Sequence, residues 1–408
     1  MTSLPPAPTR AEERIVSLDV LRGFCLLGVL VANALPWFSG RAFMDRKAVE
    51  ATTGSADKAL LFAIHLLVDG KAMTLLTVLF GLGFSLQLQR AESGGQSVLP
   101  LHLRRMAALA FIGAAHVVLL WWGDILWGYA LAGMGLALFR RLRGGPLLAC
   151  ALVLSFLPML VTALPSVDAF LTPVLPRPPD RSVFRAEVFA AIQGKGRLHL
   201  TEMHAKQAYF HVSRMWVGYF PWLLGRFLLG CWVGETGILR HPEPYLRHIR
   251  AMLVLGLIFG LPGSAITPVR RLWMQQDVRV PESLWTVLIV PSEIGVVMLS
   301  AAYACAVVLL VSSPWGRKTV LWIAPVGRMA LTTYLVQSLV CTSLFYGFGL
   351  GLAGRLFPYQ IVLIALWIFA AQVVFAHLWL RRFRYGPLEW LWRSMTYARI
   401  QPISRSGS

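Results

Sequence analysis

Long apolar runs separated by short polar or basic segments recur along nearly the whole chain, and each run is close to the length a helix needs to cross a bilayer. The first, residues 15–37, reads IVSLDVLRGFCLLGVLVANALPW and carries Asp19 and Arg22 near one end and Asn33 near the other. At about 100° per residue, Arg22 and Asn33 return to within about 20° of each other, and Asp19 lies one turn from Arg22 on a neighbouring line. A polar stripe therefore runs the depth of an otherwise apolar helix. A charge facing lipid costs roughly 2.5–3.5 kcal/mol at the helix centre, so the stripe is expected to face the protein interior or a wet cavity. An Asp19–Arg22 pair that only fixes packing is the plainer alternative.

The same reading predicts the remaining elements in order. Residues 59–68 form an interfacial helix, and a second span follows at 72–89 after Asp69, Gly70 and Lys71. The third and fourth spans, 103–122 and 125–139, are separated only by Gly123 and Asp124 and must form a tight antiparallel hairpin. The fifth is 146–164. A polar insertion, 165–210, with PRPPD at 176–180, reads as a lid or a partly disordered segment. Spans six to ten are placed at 216–233, 251–266, 285–311, 320–345 and 358–380, the ninth with room to tilt or break near Gly327. The expected fold is thus an all-α integral membrane protein of about ten transmembrane helices. It divides into a cytoplasmic N-terminal tail (1–16), a polytopic domain (17–380) with the extracytoplasmic insertion, and a basic, aromatic cytoplasmic segment (381–408) that is too polar to span.

Composition agrees: 57% of the 408 residues are hydrophobic and 14% charged, outside the range of soluble globular chains. A net charge of +19 would suggest nucleic acid in a soluble protein. Here the arginines sit in short connections between apolar runs, so the charge is read as topology, with lipid headgroups as partners and nucleic acid excluded. Both termini are then cytoplasmic, in the inner membrane of a bacterium. No small-residue cleavage site follows the first run, which is read as a retained anchor. Cys25, Cys150, Cys231, Cys305 and Cys341 all lie in apolar runs without a CxxC pair, so neither a disulfide framework nor a metal site is expected.

The chemistry is expected in the outer half of the bundle. His116 lies about 10 Å below the Gly123 turn by helical rise; Asp124 sits in the turn, Asp69 and Lys71 at the mouth of span two with His65 just before, and Asn33 at the outer end of span one. Together they offer an imidazole that titrates near neutrality, a carboxylate to orient it and hydrogen-bond donors. The structural alternatives are a packing histidine at 116, a turn or helix-cap role for Asp124 and an interfacial role for His65. A continuous helix would hold Asp124 about 10 Å or more from His116, so a water-mediated or purely electrostatic link is expected. Glu293, isolated in an apolar span, is expected to pair with a buried base or face the cavity. Gly81 and Gly83 of GLGF read as helix-packing positions, and Trp121, Trp122 and Trp127 as an interfacial belt. No P-loop, GxSxG, HExxH or metal-spaced His/Cys set occurs.

Five stretches carry a family likeness: LDVLRGFCLLGVLVAN (18–33), DGKAMTLLTVLFGLGFSLQ (69–87), HVVLLWWGDILWGYALAG (116–133), GRMALTTYLVQSLVCTSLFYGFGLG (327–351) and GPLEWLWRSMTY (386–397). The chain resembles the YeiB family, domain of unknown function 418, which is grouped with transmembrane acyltransferases. The resemblance implies transfer of an acyl group, often acetyl, from cytoplasmic acyl-CoA as co-substrate to an extracytoplasmic sugar-like or small-molecule acceptor, with no resident cofactor. It makes His116 and Asp124 the catalytic candidates and Arg22 the arginine of the first-helix LRG motif, with Asp19, Asn33, Asp69, Lys71 and Glu293 as binding candidates and His65 as a weaker one. The O-acyltransferase branch has histidine eleven residues after that arginine; this chain has Asn33. A transporter or exporter of a small or lipid-like molecule is the rival reading, its polar residues then forming a proton relay or counter-ions. Acceptor, acyl chain and oligomeric state, homo-oligomer included, stay open. The topology is checked by a reporter fused after Arg143, expected to be cytoplasmic; a periplasmic signal overturns the map.

Overall fold

The computed structural model describes residues 15–404, apart from residue 96, most of 163–179, residues 216 and 217, and residues 277, 279 and 280. PRPPD and the N-terminal tail lie almost wholly outside the described residues. The described chain is helical throughout, with a lone bridge between Phe383 and Ser404 as its strand-like pairing. The helices in order are α1 (Val16–Asn33), α2 (Arg46–Ala51), α3 (Ser55–Leu67), α4 (Lys71–Ser93), α5 (Leu99–Leu119), α6 (Leu126–Phe139) and α7 (Gly144–Thr162). Next come α8 (Arg181–Gln193), α9 (Arg197–Met215), α10 (Tyr219–Thr236), α11 (Leu246–Gln275) and α12 (Glu282–Ser312). The last are α13 (Pro314–Val320), α14 (Ala324–Arg328), α15 (Ala330–Phe345), α16 (Pro358–Arg382) and α17 (Pro387–Tyr397).

Among the described residues, seven helical stretches are long and apolar enough to cross a membrane, or eight if the broken pair Pro314–Arg328 and Ala330–Phe345 counts as one. Eight of the ten expected spans fall on these; the other two fall on α6, an apolar helix of 14 residues, and α10, of 18 residues with Arg226 in its middle, neither of which is among the membrane-length stretches. Large apolar side chains face outward, Leu138 at 82% and Trp367 at 76% exposure, as in a bundle whose solvent is lipid. The ninth span does break, bending by 79° at Met329, just beyond Gly327.

Two close crossings hold the bundle. A Cβ on Gly81 would collide with the Phe227 carbonyl, and one on Gly230 with the Val78 carbonyl, so α4 and α10 meet backbone to backbone. Likewise a Cβ on Gly327 would strike the Asp19 carbonyl and one on Gly23 the Ile323 side chain, which brings α1 against the break before α15. Gly83 differs from its expected role. The nearest atom to a Cβ there is Nη2 of Arg22 at 3.9 Å, so Gly83 opens on space in front of that guanidinium rather than on a helix.

From Arg181 onward the insertion folds as a helical pair, α8 and α9, docked on the bundle. The Gly347 N–H donates to the Ile192 carbonyl at 2.8 Å, and the Arg197 guanidinium lies 4.6 Å from the centre of the Phe348 ring. The basic C-terminal segment is also structural. Glu389 at the start of α17 accepts from the N–H groups of Leu331 (2.6 Å) and Thr332 (3.0 Å) and from the Thr332 hydroxyl (2.7 Å), capping α15 where the break frees its first donors. Burial raises the Glu389 carboxyl above its ordinary range, against those hydrogen bonds. The Trp392 indole donates to the Arg105 carbonyl at 2.9 Å, with the Arg105 guanidinium 4.3 Å from its ring centre.

The glycine pair gives a direct check on packing. Gly81→Ala forces a methyl into a carbonyl of α10, an overpacking of about 1–3 kcal/mol, and should lower the thermal midpoint of detergent-solubilised protein. Gly83→Ala should leave it unchanged. Equal effects would mean that both glycines serve helix contact.

Candidate functional site

α5 ends where both Leu120 and Trp121 N–H groups donate to the His116 carbonyl, at 2.9 and 3.0 Å. The chain then reverses, and this turn brings Asp124 back to His116. Nδ1 of His116 lies 2.8 Å from Oδ1 of Asp124, both side chains fully buried. The expected separation of about 10 Å assumed continued helix; the reversal replaces it with a direct bond. Oδ2 of Asp124 accepts from the Trp127 N–H at 2.9 Å, so the same carboxylate caps α6, and the cap and partner roles coexist. Gly113, one turn before His116, leaves room for this: a Cβ there would come within 2.9 Å of Oδ2. With Nδ1–H given to Asp124, Nε2 of His116 is left as an acceptor, buried and without a protein partner. Trp121 is not part of an interfacial belt; it is buried, its ring tilted against that of Phe38 with centres 4.4 Å apart.

Below the pair lies Tyr334, its ring centre 5.4 Å from that of His116, its hydroxyl accepting from the Ile125 N–H at 3.3 Å. Tyr334 is also the far wall of a cavity of about 340 Å³ that opens toward the Arg22 end of the bundle. Its lining on α4 runs from Leu76 to Ala91, fifteen residues or about 22 Å of helix. Arg22, Arg90, Arg105, Arg328 and Arg393 all line it, as do two acids, Asp19 and Glu389. Asp19 pairs with Arg22 at 3.4 Å and Glu389 with the α15 cap, so the balance favours an anion. His102, also lining the cavity, is held by the Gly133 carbonyl at 2.7 Å.

The other expected residues gather elsewhere. Lys71 is buried and donates to the His65 carbonyl at 3.2 Å; His65 bonds Asp69 at 2.5 Å, and Arg271 of α11 lies 3.7 Å from Asp69. Glu293 has found its buried base, Arg226 at 2.9 Å, and also accepts from the Trp222 indole at 3.2 Å. Among the described residues no hydrogen bond or ion pair joins either group to His116 or Asp124. Asn33 closes α1 where it passes into a π-helical turn (Ala34–Phe38) containing Pro36, half-buried, and does not line the cavity. The sequence reading missed Tyr334, Arg105, Arg393, Glu389 and Arg226. Arg393 and Glu389 do belong to the C-terminal segment, 381–408, whose basic and aromatic character the sequence shows.

A protein of *Bacillus subtilis* (strain 168), "Uncharacterized protein YxaH", is 35% identical over 99% of both chains. "Uncharacterized protein YeiB" of *Escherichia coli* (strain K12) is 30% identical over 96% of this chain and 98% of its own. The family described as "Protein of unknown function (DUF418)" matches residues 233–399. The chain belongs to the DUF418 family. No solved structure matches it. All five stretches that carry the likeness supply cavity-lining residues, Arg22, Gly83, Ile125, Tyr334 and Arg393 among them, so in this DUF418 protein those stretches meet around one space.

The His116–Asp124 bond can be weighed by its removal. Asp124→Leu strips the partner from a buried imidazole and the cap from α6, at about 3–5 kcal/mol for breaking a buried pair. The double variant His116→Leu, Asp124→Leu should be less destabilised than the sum of the single changes in thermal unfolding; strict additivity would show that the two groups are uncoupled.

Proposed function

We propose that this protein is a membrane-embedded acyltransferase of the bacterial cytoplasmic membrane that takes acyl-CoA at the Arg22 end and acylates an acceptor at the His116 end. What supports the reading is one observation: the cavity runs from five arginines to Tyr334, whose ring separates it from the His116–Asp124 pair. At about 340 Å³ it is within the roughly 300–1,000 Å³ of small-molecule sites. Its shape suits a slender arm with phosphates left among the guanidiniums. The basic residues at this end, with Arg140, Arg141 and Arg143 following α6, favour its cytoplasmic placement.

In this reading the Tyr334 ring swings aside to admit the thioester. Nε2 of His116 takes the proton of the acceptor hydroxyl or amine as its oxygen or nitrogen attacks the thioester carbonyl carbon. Asp124 holds the imidazolium through Nδ1–H. The tetrahedral adduct expels the CoA thiolate, which takes the proton from His116, leaving acylated acceptor and CoA. The transporter reading has its own support in the part-buried Arg226–Glu293 pair, which lies off the cavity wall and is of a kind found along ion pathways.

The test is acyl transfer by membranes from labelled acetyl-CoA and longer acyl-CoA to endogenous acceptor at matched protein levels. His116→Gln should lose about 10²–10⁴ in rate. Gly83→Leu, which places a branched side chain in the cavity before Arg22, should raise the donor KM. Near-normal turnover in His116→Gln and His116→Ala moves the site elsewhere, and absence of transfer by wild type from every donor favours the transporter.

A further inference from the structure

α9 packs against α5, the helix of His116, and carries a second imidazole, His204, into the interior. His204 is 3% exposed, and its Nε2 has no hydrogen-bond partner. One turn further along α9, Gln207 is 5% exposed with an unpartnered Oε1. Tyr346, in the turn after α15, is fully buried; its hydroxyl is unpartnered and its ring centre lies 6.1 Å from that of His204. With Nε2 of His116, four buried polar atoms on three separate elements lack a partner in the protein. Most buried polar atoms in native structures are partnered, and a group of unpartnered ones on neighbouring elements marks a place where something else can supply the bonds.

The chemistry of that something follows from the set. None of the four side chains carries a fixed charge. Burial lowers the His204 pKa to about 4, and the nearby His116 adds to the effect, so His204 is neutral at working pH. Asp124, the nearest carboxylate, has both oxygens engaged by His116 and the Trp127 N–H. An ion would find no counter-charge here. Imidazole nitrogens, an amide oxygen and a phenol match hydroxyl groups, which donate and accept at once.

We propose that α5, α9 and the turn after α15 enclose a binding site for a neutral, hydroxyl-bearing small molecule, with His116 and His204 as its two imidazoles. If the chain transfers acyl groups, this molecule is the acceptor; the site itself needs no donor and stands without that reaction. α8 and α9, anchored through Gly347 and Phe348, then serve as the wall that brings His204 and Gln207 to the site.

Calorimetric titration of the full chain in detergent, without acyl-CoA, tests it. Glucose and glycerol are the probes; choline and acetate are the charged controls. Saturable binding of at least one polyol is expected, weakened at least tenfold by His204→Phe and less by His204→Gln, with neither ion binding. Should His204→Phe fail to accumulate, Gln207→Leu and His204→Gln carry the comparison. Lack of saturable binding of both polyols, polyol binding indifferent to these substitutions, or preferential binding of choline or acetate overturns the proposal. Since no donor is present, failure here is distinct from failure of acyl transfer.

Discussion

A charged or hydrogen-bonding group placed inside an apolar bundle has to be partnered, and this constraint shapes the interior of the protein. Asp124 meets it twice, with one oxygen on His116 and the other on the first turn of α6. Glu389 meets it for the broken span: interrupting a helix in a membrane frees backbone donors, and a buried carboxylate from another helix takes them up. Glu293 takes one nitrogen of Arg226, and Lys71 rests on the His65 carbonyl. Buried atoms without a partner remain elsewhere, two nitrogens of Arg226 among them, and one group of them lies on α5, α9 and the turn after α15.

The break before α15 has a second effect. Because α14 is short and turned, Gly327 can lie on the Asp19 carbonyl, and Arg22, one turn later on α1, is left facing open space instead of a neighbouring helix. Gly83 keeps that space clear from the opposite side. The cavity is thus less a gap between helices than the result of two glycines used in opposite ways, one to bring backbones together and one to hold a side chain away.

Run length and charge made the helical membrane architecture legible, including the break near Gly327. The resemblance marked five stretches that line the cavity before their contacts were known, though not the sixth, 98–109 at the start of α5. What stayed hidden depends on tertiary geometry. The His116–Asp124 bond hinges on a reversal over residues 120–125, which helical arithmetic carries straight through. Arg90 and Arg105 look like topology signals, and only the folded chain shows that the same guanidiniums line a cavity. His204 lies in a polar insertion with no apolar period to orient it, and its burial comes from docking, not from local sequence. Trp121 misled for the converse reason: tryptophans near span ends commonly mark interfaces, yet this one is sealed beneath Phe38.

α17 follows every other helix in the chain, yet Glu389, Trp392 and Arg393 form part of the cavity wall. During synthesis the other helices can enter the membrane and pack while that chamber still lacks a side, and the break before α15 lacks its cap. Completion of the chamber and completion of the broken span are therefore the same event, the docking of α17. Until α17 docks, the bundle holds an unwalled chamber beside an uncapped helix end.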